Sequence, residues 1–161
     1  MVTPLGSEVL DTPVGPLVIV THADGAVAAC GFARTAEELF ASLRVPGFRT
    51  APRNGPTAAL TAARAYFAGE LSALDTVAVR QPGTPLTQQV WQRLRELPAG
   101  KTATYRDLLP TAPRAAGRAA AVNRVGLFVP CHRVHRVDGG LGGYSWGLSV
   151  KQWLRAHESR G

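Results

Sequence analysis

Two short apolar stretches rich in β-branched residues, 16–21 and 26–32, flank a turn containing Asp24-Gly25. That pattern predicts a β-hairpin. Thr35-x-x-Glu38 ahead of Leu39, Phe40 and Leu43 reads as a capping box that opens a helix. A Pro/Gly-rich connector covers 46–56, and from 57 to 68 the positions Leu60, Ala63, Tyr66 and Phe67 recur at helical spacing until Gly69 stops them. Residues 76–80 alternate like a short strand, and Gln81-Pro82-Gly83-Thr84-Pro85 reads as a linker. The pattern therefore predicts an α+β unit over 1–80 and a second unit over 86–161.

The second unit reads as helices and loops. Val90, Trp91, Leu94 and Leu97 share one face of a helix over 87–97, and Pro98-Ala99-Gly100 ends it. A short helix over 104–109 stops at Pro110, and 113–122 forms a helix of unusually small residues. An apolar, strand-like run over 126–129 leads into Pro130-Cys131-His132-Arg133-Val134. A glycine-rich loop over 139–147 follows, and Ser149-x-x-Gln152 reads as a capping box opening a last helix through Glu158.

Composition places the chain among globular proteins. Of 161 residues, 45% are hydrophobic and 18% charged, a balance that argues against disorder and fibrous architecture. The longest apolar runs, 16–21 and 126–131, are too short to cross a bilayer, so no membrane role is expected. The first ten residues lack the basic and apolar regions of a signal peptide, and two cysteines make no disulfide framework. Both points lead to a cytoplasmic expectation. Charge changes the picture more. Residues 1–85 carry six Arg against seven acidic residues, net −1, whereas 86–161 carry twelve Lys/Arg against four acidic residues, net +8. A basic half beside a near-neutral one suggests a polyanion-binding face.

Cys131 is the residue with the clearest chemistry. Pro130 fixes the chain before it, and His132, Arg133, His135 and Arg136 follow. Thiolate is the reactive form of cysteine, and cationic or imidazole neighbours favour it. A lone Cys after an apolar run is equally a small core residue, and Cys30, inside the hairpin, is read as packing. Cys131, His132 and His135 lack the spaced pairs of a zinc site, so no metal is expected. In the small-residue helix, Arg114-Ala115-Ala116-Gly117-Arg118 is almost bare of bulk. Such a surface lets a backbone approach a nucleic-acid groove while Arg reaches phosphates or the base stack, or it packs tightly on a neighbouring helix.

Several motifs together resemble one family. They are Pro130-Cys131-His132-Arg133-Val134, Gly143-Tyr144-Ser145-Trp146-Gly147-Leu148, Lys151-x-Trp153-Leu154, and Gln88-Gln89-Val90-Trp91 followed by Leu97-Pro98-x-Gly100 and Thr104-Tyr105. Asp11-Thr12-Pro13-Val14-Gly15-Pro16-Leu17 and Ala65-Tyr66-Phe67-Ala68-Gly69-Glu70-Leu71 extend the likeness over nearly the whole chain. The family is that of O6-alkylguanine-DNA alkyltransferases. The resemblance implies a ribonuclease-H-like N-terminal lobe and a winged-helix-like DNA-binding lobe. It implies a monomer that flips O6-alkylguanine out of double-stranded DNA and transfers the alkyl group irreversibly to Cys131, without a cofactor. By position, His132 matches the base that deprotonates the thiol through a water, Glu158 the carboxylate that orients it, and Tyr105 the proton donor toward departing guanine. Asn123 matches the residue bracing the active-site loop. The Val134 carbonyl, Tyr144 and Ser145 match the base pocket, and Lys151 the support of that loop. Arg114 matches the intercalating arginine, with Ala115, Gly117 and Arg118 on the same DNA-facing helix.

Three departures carry expectations. Only eight residues separate Tyr105 from Arg114, fewer than in the family, and Pro110 and Pro113 lie among them. Arg124 stands where many relatives carry Pro, which predicts a looser approach to the active-site strand. Trp146 stands where some relatives have Gly, which predicts a narrowed pocket mouth and a preference for methyl over bulky adducts. Two other readings compete: a damage-recognition protein that binds alkylated DNA with little or no transfer, and an unrelated Cys–His hydrolase.

Overall fold

The computed structural model describes residues 5–46, 49–53 and 55–160. The architecture is α+β. A four-stranded sheet has the order β3-β2-β1-β4, built from β1 (Leu5–Thr12), β2 (Gly15–Thr21), β3 (Val27–Phe32) and β4 (Thr50–Pro52). The expected hairpin is β2–β3, and β1 precedes it as an antiparallel partner of β2. In β2, Leu17 and Ile19 enter one core and Val18 and Val20 another. A strand covered on both faces reads as an unbroken apolar run. The half-polar β1 carries no such signal. The short β4, parallel to β1, arises inside the stretch read as a connector.

Helix α1 (Ala36–Leu43) covers the Val18/Val20 face, and Thr35 accepts from the Glu38 N–H as its N-cap. Glu38 turns outward to Arg34, so only half of the expected capping box forms. Helix α2 (Ala58–Phe67) lies on the other face. Thr57 caps it by accepting from Leu60 N at 3.2 Å and donates its own hydroxyl to Glu8 of β1 at 2.5 Å. The expected strand over 76–80 is not one. A 3₁₀ turn spans Leu71–Thr76, and a single bridge pairs Val79 with Val27. Burial of Leu74 and Val77 in the same core explains the apolar signal.

Helix α3 (Pro85–Glu96), capped by Thr84, starts the second half. Strand β5 (Ala103–Thr104) runs into the one-turn helix α4 (Tyr105–Leu108), closed by a full capping box between Thr104 and Asp107. Helix α5 (Pro113–Ala121) follows, and Trp91 Nε1 donates to the Ala119 carbonyl at 2.9 Å to hold it on α3. Strand β6 (Val134–His135) pairs parallel with β5. Helix α6 (Leu148–Ser159) completes the chain. It starts at Gly147, whose φ of 104° favours glycine, and has no side-chain cap, so Ser149 lies inside the first turn and makes no capping box. Among the described residues no helix is long and apolar enough to cross a membrane.

Thr57 joins α2 to β1 as well as capping it. Thr57→Ala should lower stability by about 1–2 kcal/mol, measured as a shift of the urea midpoint at constant slope.

Candidate active site: a thiol in the lining of a cavity

The outer edge of β3 positions the site. Cys30 N donates to the Arg124 carbonyl and Gly126 N to the Cys30 carbonyl, both at 2.9 Å. The stretch 126–129, expected as strand-like, then turns instead. Phe128 N donates to the Gly126 carbonyl across Leu127, whose φ is 71°. This is the rarer, strained γ-turn. A second, inverse γ-turn centres on Pro130 (φ −82°, ψ 66°), with Cys131 N donating to the Val129 carbonyl at 2.8 Å. Arg95 of α3 secures the bend by donating to the Phe128 carbonyl at 2.9 Å and the Val77 carbonyl at 2.6 Å. The apolar content of this stretch comes from burial, since Leu127, Phe128 and Val129 are each at most 2% exposed.

Cys131 opens a 3₁₀ turn, Cys131–Arg133, directly before β6. Because β6 pairs with β5, the turn lies beside Tyr105, which directly follows β5. Cys131 lines a cavity of about 260 Å³, near the ~300 Å³ lower end of ligand pockets. Gly117, Ala120 and Ala121 of α5 form one wall, and Tyr105, Gly143, Tyr144 and Ser145 form the rest. A larger groove outside it is lined by Tyr105, Arg114, Gly117 and Arg136 among others. The shortened segment from Tyr105 to Arg114 thus keeps both residues on one groove.

Behind the cavity, His132 Nε2 and Glu158 Oε2 are 2.7 Å apart. The carboxylate accepts, so Nε2 carries the hydrogen and Nδ1 is left as a bare acceptor. Nδ1 is buried and has no hydrogen-bond partner. Glu158 also accepts from the Tyr66 hydroxyl at 2.7 Å and from Arg133 at 2.8 Å and 3.0 Å. Burial alone would raise the Glu158 pKa. The hydrogen bonds and charges of His132 and Arg133 overcome that and hold the carboxyl well below its usual range. Burial lowers the His132 pKa against the opposing pull of Glu158. The sequence places Tyr66 on a helix face and Arg133 near the thiol, each inside a family motif, but assigns neither a role at the site.

Burial likewise pushes the Cys131 thiol up, while the Asn123 amide, 3.5 Å from Sγ, and the Lys151 charge pull it down. Fully buried Lys151 donates to the carbonyls of Leu141 and Gly143, pinning the glycine-rich loop. Burial raises the pKa of Tyr105 and of Tyr144, and keeps both phenols protonated. Val134 is buried in the core and lies outside the cavity lining.

The chain is 34% identical, over 94% of its length and 94% of the relative's, to a methylated-DNA–protein-cysteine methyltransferase of Shigella flexneri. The chain belongs to the methylated-DNA–protein-cysteine methyltransferase family. Residues 85–160 match the family model described as the 6-O-methylguanine DNA methyltransferase DNA-binding domain. A Methanosarcina acetivorans relative is 43% identical over 56% of this chain and 60% of its own. Among solved structures, the Mycobacterium tuberculosis O6-methylguanine methyltransferase aligns at TM-score 0.78 and 28% identity, covering 97% of this chain and 93% of that one. The Mycobacterium tuberculosis OGT in complex with DNA aligns at 0.78 and 28%, covering 96% and 93%.

One family position is used differently from the expectation. Trp146 does not narrow the cavity mouth and is not part of the lining. Its ring enters a slot left by two glycines. A Cβ on Gly31 would stand 2.4 Å from the ring, and one on Gly126 2.5 Å. Edge contacts with Phe32 and Tyr144 complete the fit. Trp146 therefore fastens the cavity loop to β3 and to the bend before Cys131.

Arg133 is 3% exposed and has Glu158 as its counter-ion. Glu158→Ala should cost about 3–5 kcal/mol, because it leaves a buried charge unpaired. The pH dependence has a fixed sign. The unfolded chain binds a proton at His132 below ~6.5 and at Glu158 below ~4.3, where the folded site resists both. Urea-unfolding stability should fall as pH drops below ~6.5 and more steeply below ~4.3, and a flat profile from pH 7 to 4 would contradict this account.

Proposed function

We propose that this chain repairs alkylated DNA as a monomer by carrying the alkyl group of O6-alkylguanine, chiefly methyl, from duplex DNA to its own Cys131. The observation that carries the reading is the Cys131 thiol in the lining of a cavity whose wall includes Gly117 and Ala121 from the bare face of α5. Helical spacing puts Arg114, Gly117, Arg118 and Ala121 on that face, opposite buried Ala116 and Ala119. Both Arg are exposed. A Cβ on Gly117 would meet nothing within 4 Å, so internal packing does not require glycine there. A bare position open to the outside admits the close approach of another surface, and a DNA groove fits the basic half of the chain. In this reading Arg114 fills the stack vacated by the flipped base, and Ala115 and Arg118 contact the flanking backbone. Residues 86–161 carry the chemistry, and residues 1–80 support it.

The transfer is a displacement at the alkyl carbon. The thiol proton passes through a water to the bare Nδ1 of His132, whose other nitrogen is committed to Glu158. The Cys131 sulfur forms a bond to the alkyl carbon as the carbon–O6 bond breaks. Tyr105, held protonated beside the cavity, donates a proton to guanine, which leaves neutral. Ser145 and Tyr144 hold the base, and Lys151 keeps their loop in place. The product is a thioether, so each molecule reacts once. With Trp146 outside the cavity lining, the methyl reading is supported by the methylated-DNA–protein-cysteine methyltransferase relatives.

Intact-protein mass after incubation with excess duplex containing O6-methylguanine should rise by one CH₂ per chain, and Cys131→Ala should show no gain. Lesion-selective binding without a mass gain would make this a recognition protein instead. Gly117→Ala should raise stability by about 0.5–1 kcal/mol, whereas Gly117→Leu should weaken duplex binding at unchanged fold, measured by fluorescence anisotropy.

A further inference from the structure

Gln81 lies in the stretch that reads as a linker, yet it is 6% exposed and Asn123 only 2%. Its position is fixed from α3, because Gln88 Nε2 donates to the Gln81 carbonyl at 2.8 Å. Its side chain meets two groups of known polarity. Arg124 N, a backbone donor, lies 2.9 Å from Oε1, so Nε2 must face the other way and donates to Asn123 Oδ1 at 2.8 Å. Val125 N donates to the same Oδ1 at 3.0 Å. Two backbone N–H groups thus remove the flip ambiguity of both amides. Asn123 has only Nδ2 left to turn toward the Val129 carbonyl, at 3.1 Å, and Cys131 Sγ. The N–H that a proline at 124 would lack is here a fixed point, so the approach to Cys131 is tethered rather than loosened.

We propose that Gln81 is a positioning residue for the Cys131 thiol, acting through Asn123 by holding that amide with its Nδ2 toward Sγ. A donor aimed at sulfur favours the thiolate over the thiol. The proposal rests on Cys131 being the alkyl acceptor, but its test does not. The other groups that act on the sulfur are Lys151 from α6, Tyr105 from α4 and Tyr144 from the loop, and His132 follows it on the same turn. Among the described residues no hydrogen bond joins Gln81 to any of them, so substitution at 81 removes none of their partners.

The test measures the pH dependence of Cys131 capture by iodoacetamide, read by peptide mass spectrometry, with fully buried Cys30 as the unreactive reference. The proteins are wild type, Gln81→Leu, Asn123→Leu and the double variant, with Gln81→Met in place of Gln81→Leu if the latter melts below the assay temperature. Gln81→Leu should move the midpoint up by about half to one pH unit, and Asn123→Leu by at least as much. In the Asn123→Leu background Gln81→Leu should add nothing, since a residue acting through Asn123 loses its effect there. An unmoved midpoint in Gln81→Leu, or a shift that persists without Asn123, overturns the proposal. Methyl transfer measured on the same wild-type sample separates the two questions. Transfer absent with the midpoints behaving as expected sinks the functional reading alone.

Discussion

One buried carboxylate organises this molecule. Glu158 receives hydrogen bonds from Tyr66 on α2, His132 beside the thiol and Arg133 before β6. The same charge fixes the imidazole tautomer, neutralises a buried guanidinium and ties the last helix to the first half of the chain. A lone buried carboxylate would be protonated or excluded. With its donors satisfied it stays ionised, and its ionised form is what keeps His132 Nδ1 bare. Stability and reactivity therefore share one interaction, and a change there cannot affect only one of them.

Backbone pairing does the coarse positioning. The edge of β3 is covered by the residues around Val79 and Val125, which protects an otherwise open strand and anchors the approach to Cys131. The two γ-turns then reverse the chain so that the thiol is presented from a bend and not from a strand. Side chains from elsewhere, Arg95 on the carbonyls and Trp146 in its glycine slot, hold that bend.

Elements with a strong local signal were legible in the sequence. The β2–β3 hairpin, the helices with Thr caps and the small-residue helix α5 all follow from periodicity and turn chemistry. The one-sided strand β1 was not, because half its positions are polar although its partner β2 follows directly, and the three-residue β4 was not, because its pairing with β1 is remote in sequence. The run over 126–129 was apolar for burial, a signal that cannot distinguish a strand from a buried turn. At the site, Cys131 and its cationic neighbourhood stood out, and motif resemblance supplied roles for the residues around it. Tyr66 was marked only as a helix-face position within a family motif, and Gln81 and Arg95 carried no mark of their role. Each acts on a group dozens of positions away, and only the fold brings them together. Trp146 was noticed but misplaced, since nothing in the chain announces that glycines at 31 and 126 leave room for it.

That slot has a consequence for how the family diversifies. Bulk at 146 and its absence at 31 and 126 are one steric decision taken at three separated positions. A relative with a larger residue at either glycine position has no place for an indole, and one with glycine at 146 has no need of both glycines. The three sites should therefore covary across lineages, with side-chain volume exchanged among them and their total nearly conserved.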